Sequence, residues 1–274
     1  MRSTPTPAAD LARAAVAAFR VGAGQTLAAW PVLAGRCLFY VLLLVVLSAL
    51  WDKVAAERLP GTLASTLPPG GFALYIGVTE WITLALPAIH LRLEDDIRGG
   101  GLEPHLLRPK PYLVQRLSQA AGEMTVRMTA LGATALAVLA LSGRAPPPPG
   151  TFAVLPLLGA LAAIVGLLLY TLAGLAAFWA RRTMPFQLVI QKLMFLLGGL
   201  FAPISLYPAW LRRIGEASPF SAHLYWAGVQ ALHPSAAQAV RGLGWQLVWV
   251  VVLGLACAAL WRAGLAKALR EGAV

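Results

Sequence analysis

Six long apolar runs, at residues 32–50, 71–91, 121–141, 152–180, 184–204 and 243–261, decide what this chain can fold into. Each is about as long as a helix needs to cross some 30 Å of hydrocarbon. Together they predict an all-α polytopic membrane protein with six transmembrane helices, built as a single transmembrane domain over residues 1–274. Composition agrees: 59% of the 274 residues are hydrophobic and 12% charged, against about 25% charged in an average globular domain. The mean hydropathy is +0.72.

The formal charge of +11 would fit nucleic-acid binding in a soluble protein. Here the basic residues flank apolar runs, which is the pattern the positive-inside rule produces. The lipid bilayer is the expected partner, and no nucleic acid is. Six spans put both termini on one side. With the N-terminus inside, the inner segments hold thirteen basic residues and the outer segments, of similar total length, hold six. The bias predicts cytoplasmic termini and a cytoplasmic connection between spans two and three.

That connection, residues 92–118, is the longest charged interval between apolar runs. It holds Arg92, Arg98, Arg108, Lys110 and Arg116 with Glu94, Asp95, Asp96 and Glu103, and so it cannot lie in hydrocarbon. The Gly99-Gly100-Gly101 break should end one helix, and Pro104 suits the first turn of another. Leu102, Leu106 and Leu107 then read as the apolar face of a short amphipathic helix, stopped by Pro109 and Pro111, presenting leucines outside the membrane. Residues 8–30 predict an N-terminal amphipathic interface helix on the cytoplasmic side. Leu11, Ala15, Ala18, Phe19 and Gly22 share one face, while Arg13 and Arg20 lie opposite. No signal peptide is read, because the first apolar run starts only near Val32 and is too long for a signal core.

The outer connections differ in kind. Residues 52–70 form a polar loop, and 143–150, with Pro146 to Pro149, a stiff turn. Residues 203–242 are cut by Pro203, Pro208, Pro219 and Pro234 and carry Tyr207, Trp210, Phe220, Tyr225 and Trp226. They read as an outer re-entrant region of short helices dipping into the leaflet between spans five and six.

Ionisable residues inside spans mark function by default. Glu123 and Arg127 are four apart and should pair within their helix. Lys192 and Arg36 are within snorkelling reach of an interface. Glu80 is the exception, at the middle of span two with no basic residue one turn away. It is a candidate substrate-pathway residue, with a bond to a neighbouring helix as the plainer reading.

No catalytic or metal-binding residues are expected. Cys37 and Cys257 fall in apolar runs and read as small hydrophobes. His90, His105, His223 and His233 lack metal-ligand spacing and read as interfacial or capping residues. The chain has no G-x-x-x-x-G-K-[ST] and no G-x-S-x-G, so it cannot cradle a nucleotide in the P-loop manner. The alternative to a transporter is a membrane-embedded lipid-modifying enzyme, which would need convergent acids. Glu94, Asp95 and Asp96 are consecutive and should fan around a helix.

Two stretches carry a family resemblance. DIRGGGLEPHLLRPKPYLVQRL, at 96–117, resembles the cytoplasmic segment of type-2 ABC exporter permeases. FLLGGLFAPISLYPAWLRRIGEASPF, at 195–220, resembles their fifth span and outer helices. The chain is most similar to the six-span subgroup that includes permease subunits of viologen exporters. The resemblance implies a bacterial inner-membrane subunit of an ATP-driven exporter. Such subunits work as a homodimer or with a related second permease, driven by a separate ATPase that binds ATP and Mg. It also assigns ATPase coupling to Leu102, Leu106, Leu107 and Arg108, and the connecting helix to Arg13 and Arg20.

Overall fold

The computed structural model describes residues 7–56, 71–102, 104, 111–142, 149–200 and 203–271. Each apolar run is mostly helix, and no strand occurs, among the described residues. Helix α1 (Pro7–Ala28) is followed after one residue by α2 (Trp30–Ala56), an elbow set by Ala29 and Pro31. Next come α3 (Gly71–Ala85), α4 (Ile89–Arg98), α5 (Tyr112–Leu141) and α6 (Pro149–Leu175). A 3-10 turn (Ala176–Phe178) leads to α7 (Met184–Leu197). The short helices α8 (Ala209–Ala217), α9 (Pro219–His223) and α10 (Tyr225–Leu232) precede α11 (Ala236–Arg270).

The bundle is centred on α6, which has no charged residue and buries Leu158, Ala162, Ala163, Val165 and Leu175 completely. A helix apolar all round belongs inside, and α3, α4, α9, α10 and α11 pack on it. In contrast, α2 keeps Leu38, Phe39, Leu42, Val45 and Val46 exposed, and α11 does the same with Val251 and Leu255. These are faces for lipid or for another protein.

Five described helical stretches are long and apolar enough to cross a membrane, and α7 is a shorter apolar helix. At 1.5 Å per residue its 14 residues span about 21 Å, so the fifth expected span is cut short. Gly198 caps it, and Gly199, at φ 74°, turns the chain out of helix.

Span two is also not one continuous helix. Pro87 leaves Leu86 to Ala88 outside helix, because proline lacks an N–H and crowds the preceding turn. The chain then resumes as α4 and stays helical to Arg98, past the expected boundary at Leu91. Since α5 starts at Tyr112, nine residues before the expected start of span three, both ends of the expected 92–118 loop are helical, and 99–111 is the connection between α4 and α5.

The 203–242 region forms the short helices expected of it. Of these, α9 and α10 sit inside the bundle. Ala222, His223, Leu224 and Ala227 are fully buried. His223 Nδ1 lies 2.7 Å from the Ala162 carbonyl, and Gln246 Nε2 donates to the carbonyls of Leu158 and Ala222 at 3.0 and 3.1 Å. His223 and His90 are therefore core residues, not interfacial ones. Helix α8, by contrast, lies on the surface, with Trp210 and Ile214 exposed.

Candidate functional site

The charged segment is held at one end of the bundle by bonds from nearly every element there. On α4, Ile89 and Leu93 face the core while Leu91, Asp95 and Arg98 face outward. Consecutive acids diverge on a helix, and they do here. Glu94 accepts from Thr183 N and Thr183 Oγ1, both at 2.6 Å, with Arg182 3.7 Å away. Asp96 faces α5 instead, accepting from the Tyr112 hydroxyl and from Arg116 Nη2 at 2.8 Å. Arg98 donates to the Ala180 carbonyl at 2.7 Å. Tyr112 stacks on Trp261 with ring centres 5.0 Å apart, and Lys267 donates to the Phe178 carbonyl at 2.9 Å. The end of α4, the start of α5, the turn into α7 and the end of α11 are thus one locked platform.

From that platform emerges the segment expected to meet a partner. The Gly99 N–H bonds to Asp95 O at 2.8 Å, closing α4, and Gly100 takes φ 77°, which glycine tolerates best. This reversal corrects one expectation: Leu102 does not face outward but is buried in the core, 1% exposed. Pro104 is exposed. Leu106, Leu107 and Arg108 lie outside the described residues.

Helix α1 lies along the first half of α5. The face expected to be apolar is the one that packs: Ala18 and Gly22 are buried, Ala15 and Phe19 partly so. A Cβ on Gly22 would collide with the Gln119 carbonyl, and one on Gly122 with the Phe19 carbonyl. Small residues let two backbones approach this closely. Gln119 Nε2 donates to Gln25 Oε1 at 2.9 Å alongside. Arg13 and Arg20 remain exposed on the opposite face, Arg13 within 3.8 Å of Asp10 in a solvated pair worth little.

Glu80 is half-buried on α3 and has no ion-pair or hydrogen-bond partner among the described residues. Tyr40 on α2 and Trp81 on α3, two polar aromatic residues of this region, are committed elsewhere. The Tyr40 hydroxyl donates to Gly77 O at 2.7 Å, and Trp81 Nε1 to Met128 O at 2.8 Å.

The expected Glu123–Arg127 pair forms, Arg92 joins it, and Arg36 lies beside it. Arg92 Nη2 reaches Glu123 Oε2 at 2.5 Å. Arg127 Nη1 donates to the Leu86 carbonyl at 2.9 Å, and Arg36 Nη1 to the Leu84 carbonyl at 2.7 Å. Those carbonyls lie at the end of α3 and just beyond it, where the Pro87 break interrupts the helical bonding. Arg36 therefore caps a broken helix instead of snorkelling. The signal was in the sequence: an intramembrane proline frees carbonyls, and an intramembrane arginine can satisfy them.

Residues 72–270 match the family described as ABC-2 family transporter protein. No curated protein matches the sequence.

Proposed function

The chain belongs to the ABC-2 transporter family and is a membrane-spanning permease component of an ABC transporter, and from that premise we propose that it works as a dimer in an exporter driven by a separate ATPase. The observation that carries this reading is the locked platform. Glu94, Asp96, Arg98 and Lys267 tie α4, α5, the turn into α7 and α11 together at the end where the chain passes from α4 to α5. A partner pushing on that connection would move several spans at once, which is what coupling ATP hydrolysis to transport requires. Leu106, Leu107 and Arg108 are its contact residues in this proposal, and Leu102 is the buried root that anchors them. Arg13 and Arg20, exposed on α1, extend the same surface. ATP and Mg are bound by the partner.

The exposed apolar faces of α2 and α11 are available to lipid and to the second permease subunit, identical or related. Glu80 is the proposed pathway residue, and a cation is the class of substrate it would favour. Export across a bacterial inner membrane, with both termini cytoplasmic, completes the reading.

The test is the double substitution Leu106→Asp with Leu107→Asp in the complex purified from its native membrane. It removes apolar contact area worth about 25 cal/mol per Å² without touching a span. The expected result is loss of the copurifying ATPase subunit and of transport, with unchanged thermal stability of the membrane subunit. Wild-type ATPase recovery and transport in that variant would exclude the segment as the contact.

A further inference from the structure

Where the α1–α2 elbow meets α4 and α5, the surface opens into a cavity of about 160 Å³. Its polar lining is unbalanced. Arg36, Arg92 and Arg127 face it with Glu123 as the one carboxylate among its lining residues, so three guanidiniums against one acid leave an excess of two positive charges. The bonds from Arg36 and Arg127 to the Leu84 and Leu86 carbonyls satisfy donors but neutralise no charge. Glu123 is 7% exposed at its side chain and is shared between Arg92 and Arg127. The Arg92 side chain is 39% exposed and turns part of its fork to the opening.

The apolar lining points to the source of a compensating anion. Val32 and Leu33 belong to α2, whose outer face continues as exposed Leu38, Phe39 and Leu42. Trp30, 68% exposed, stands at the start of the same helix, and tryptophan at the end of a spanning helix marks headgroup depth. Arg36 lies six residues farther along, about 9 Å deeper along the helix axis. The cavity thus presents fixed guanidiniums at the boundary between headgroup and acyl chain, beside a surface suited to acyl chains. Guanidinium forks match phosphate oxygens in shape and charge.

We infer that this cavity binds the phosphate of an anionic phospholipid, with Arg36, Arg92 and Arg127 as the phosphate ligands and the Val32–Leu33 wall as the seat of the first acyl carbons. The bound lipid would wedge the α1–α2 elbow against the α3–α4 break, so it would act on the geometry of both. The inference stands on the cavity and its charge alone and does not depend on the coupling reading.

The experiment uses the purified full-length protein in nanodiscs of phosphatidylcholine with increasing phosphatidylglycerol, read by thermal midpoint and by lipid retained in native mass spectrometry. Phosphatidylglycerol should raise the midpoint of the wild type. Arg92→Gln leaves the Arg127–Glu123 pair and both carbonyl bonds in place, and should need about tenfold more phosphatidylglycerol for the same rise. Arg92→Lys keeps the charge beside Glu123 but loses the fork, and should still retain less lipid than the wild type. Arg262→Gln, an exposed basic residue at the same end of the bundle, should respond as the wild type does. An undiminished response in both Arg92 variants, or an equal loss in Arg262→Gln, would overturn the site. Full stabilisation by inorganic phosphate in phosphatidylcholine discs would overturn the lipid as its source.

Discussion

A carboxylate at membrane depth with no partner among the described residues is a costly thing to keep, about 2.5–3.5 kcal/mol for a charge at mid-helix on insertion scales, and Glu80 is such a group. Its low-dielectric surroundings make any charge pair formed there stronger than in water. Glu80→Gln keeps the shape and most of the hydrogen bonding while removing the charge. In proteoliposomes holding the whole complex, the variant should transport a cationic substrate about tenfold less well at limiting concentration, with expression and thermal midpoint unchanged. Unchanged transport would remove the charge from substrate recognition, and a loss of assembly instead would assign Glu80 to a contact between subunits. At this scale the sequence was readable where partners are local. The Glu123–Arg127 pair follows from four-residue spacing. The arrival of Arg92 and the capping role of Arg36 depend on the break at Pro87, and no spacing rule reaches across four helices.

Between elements, α1 and α5 approach closely, where Gly22 and Gly122 each face the other helix's backbone. The wheel pattern of α1 correctly marks its buried face. It cannot say what covers that face, since an interfacial lipid and a neighbouring helix want the same residues. Gly122→Val places a branched side chain against the Phe19 carbonyl and should destabilise the packing by about 1–3 kcal/mol. It should be seen as a lower thermal midpoint and faster proteolysis of α1. Gly24, exposed on the same helix with nothing near its would-be Cβ, gives the opposite sign, because Gly24→Ala should stabilise α1 by up to about 1 kcal/mol through helix propensity. A Gly122→Val protein as stable as the wild type would mean that α1 detaches freely from α5. Charged residues misled the reading of α4 for a related reason. Glu94 and Asp96 look like loop residues in one dimension, but Thr183, Tyr112 and Arg116 satisfy them in three. A helix can therefore continue where hydropathy alone ends it.

For the whole molecule, the number of crossings turns on α7. By itself it is too short for a full hydrocarbon core, yet its two ends are tied to the two ends of the α3–α4 rod. Thr183, just before α7, is bonded to Glu94, and Gly199, just after it, accepts from the Tyr75 hydroxyl at 2.6 Å. Tyr75 and Glu94 lie on α3 and α4, on either side of the Pro87 break. The segment from Thr183 to Gly199 therefore runs beside both helices, which supports the proposal that it is a crossing. In the proposed topology, six crossings return the C-terminus to the side of the N-terminus, and Arg98, Arg116, Arg182 and Lys267 gather around the platform at that end. The positive-inside rule then predicts that this side is cytoplasmic. Single cysteines at Ser3, Trp210 and Gly272, introduced into a Cys37→Ala, Cys257→Ala background, convert the argument into a labelling pattern. In intact cells an impermeant maleimide should modify only the Trp210 position, which lies on exposed α8. After permeabilisation all three should react. Labelling of Gly272→Cys but not Ser3→Cys in intact cells would make α7 a re-entrant helix and leave the chain with five crossings. Labelling of both termini would invert the molecule and move the proposed ATPase surface to the wrong side of the membrane.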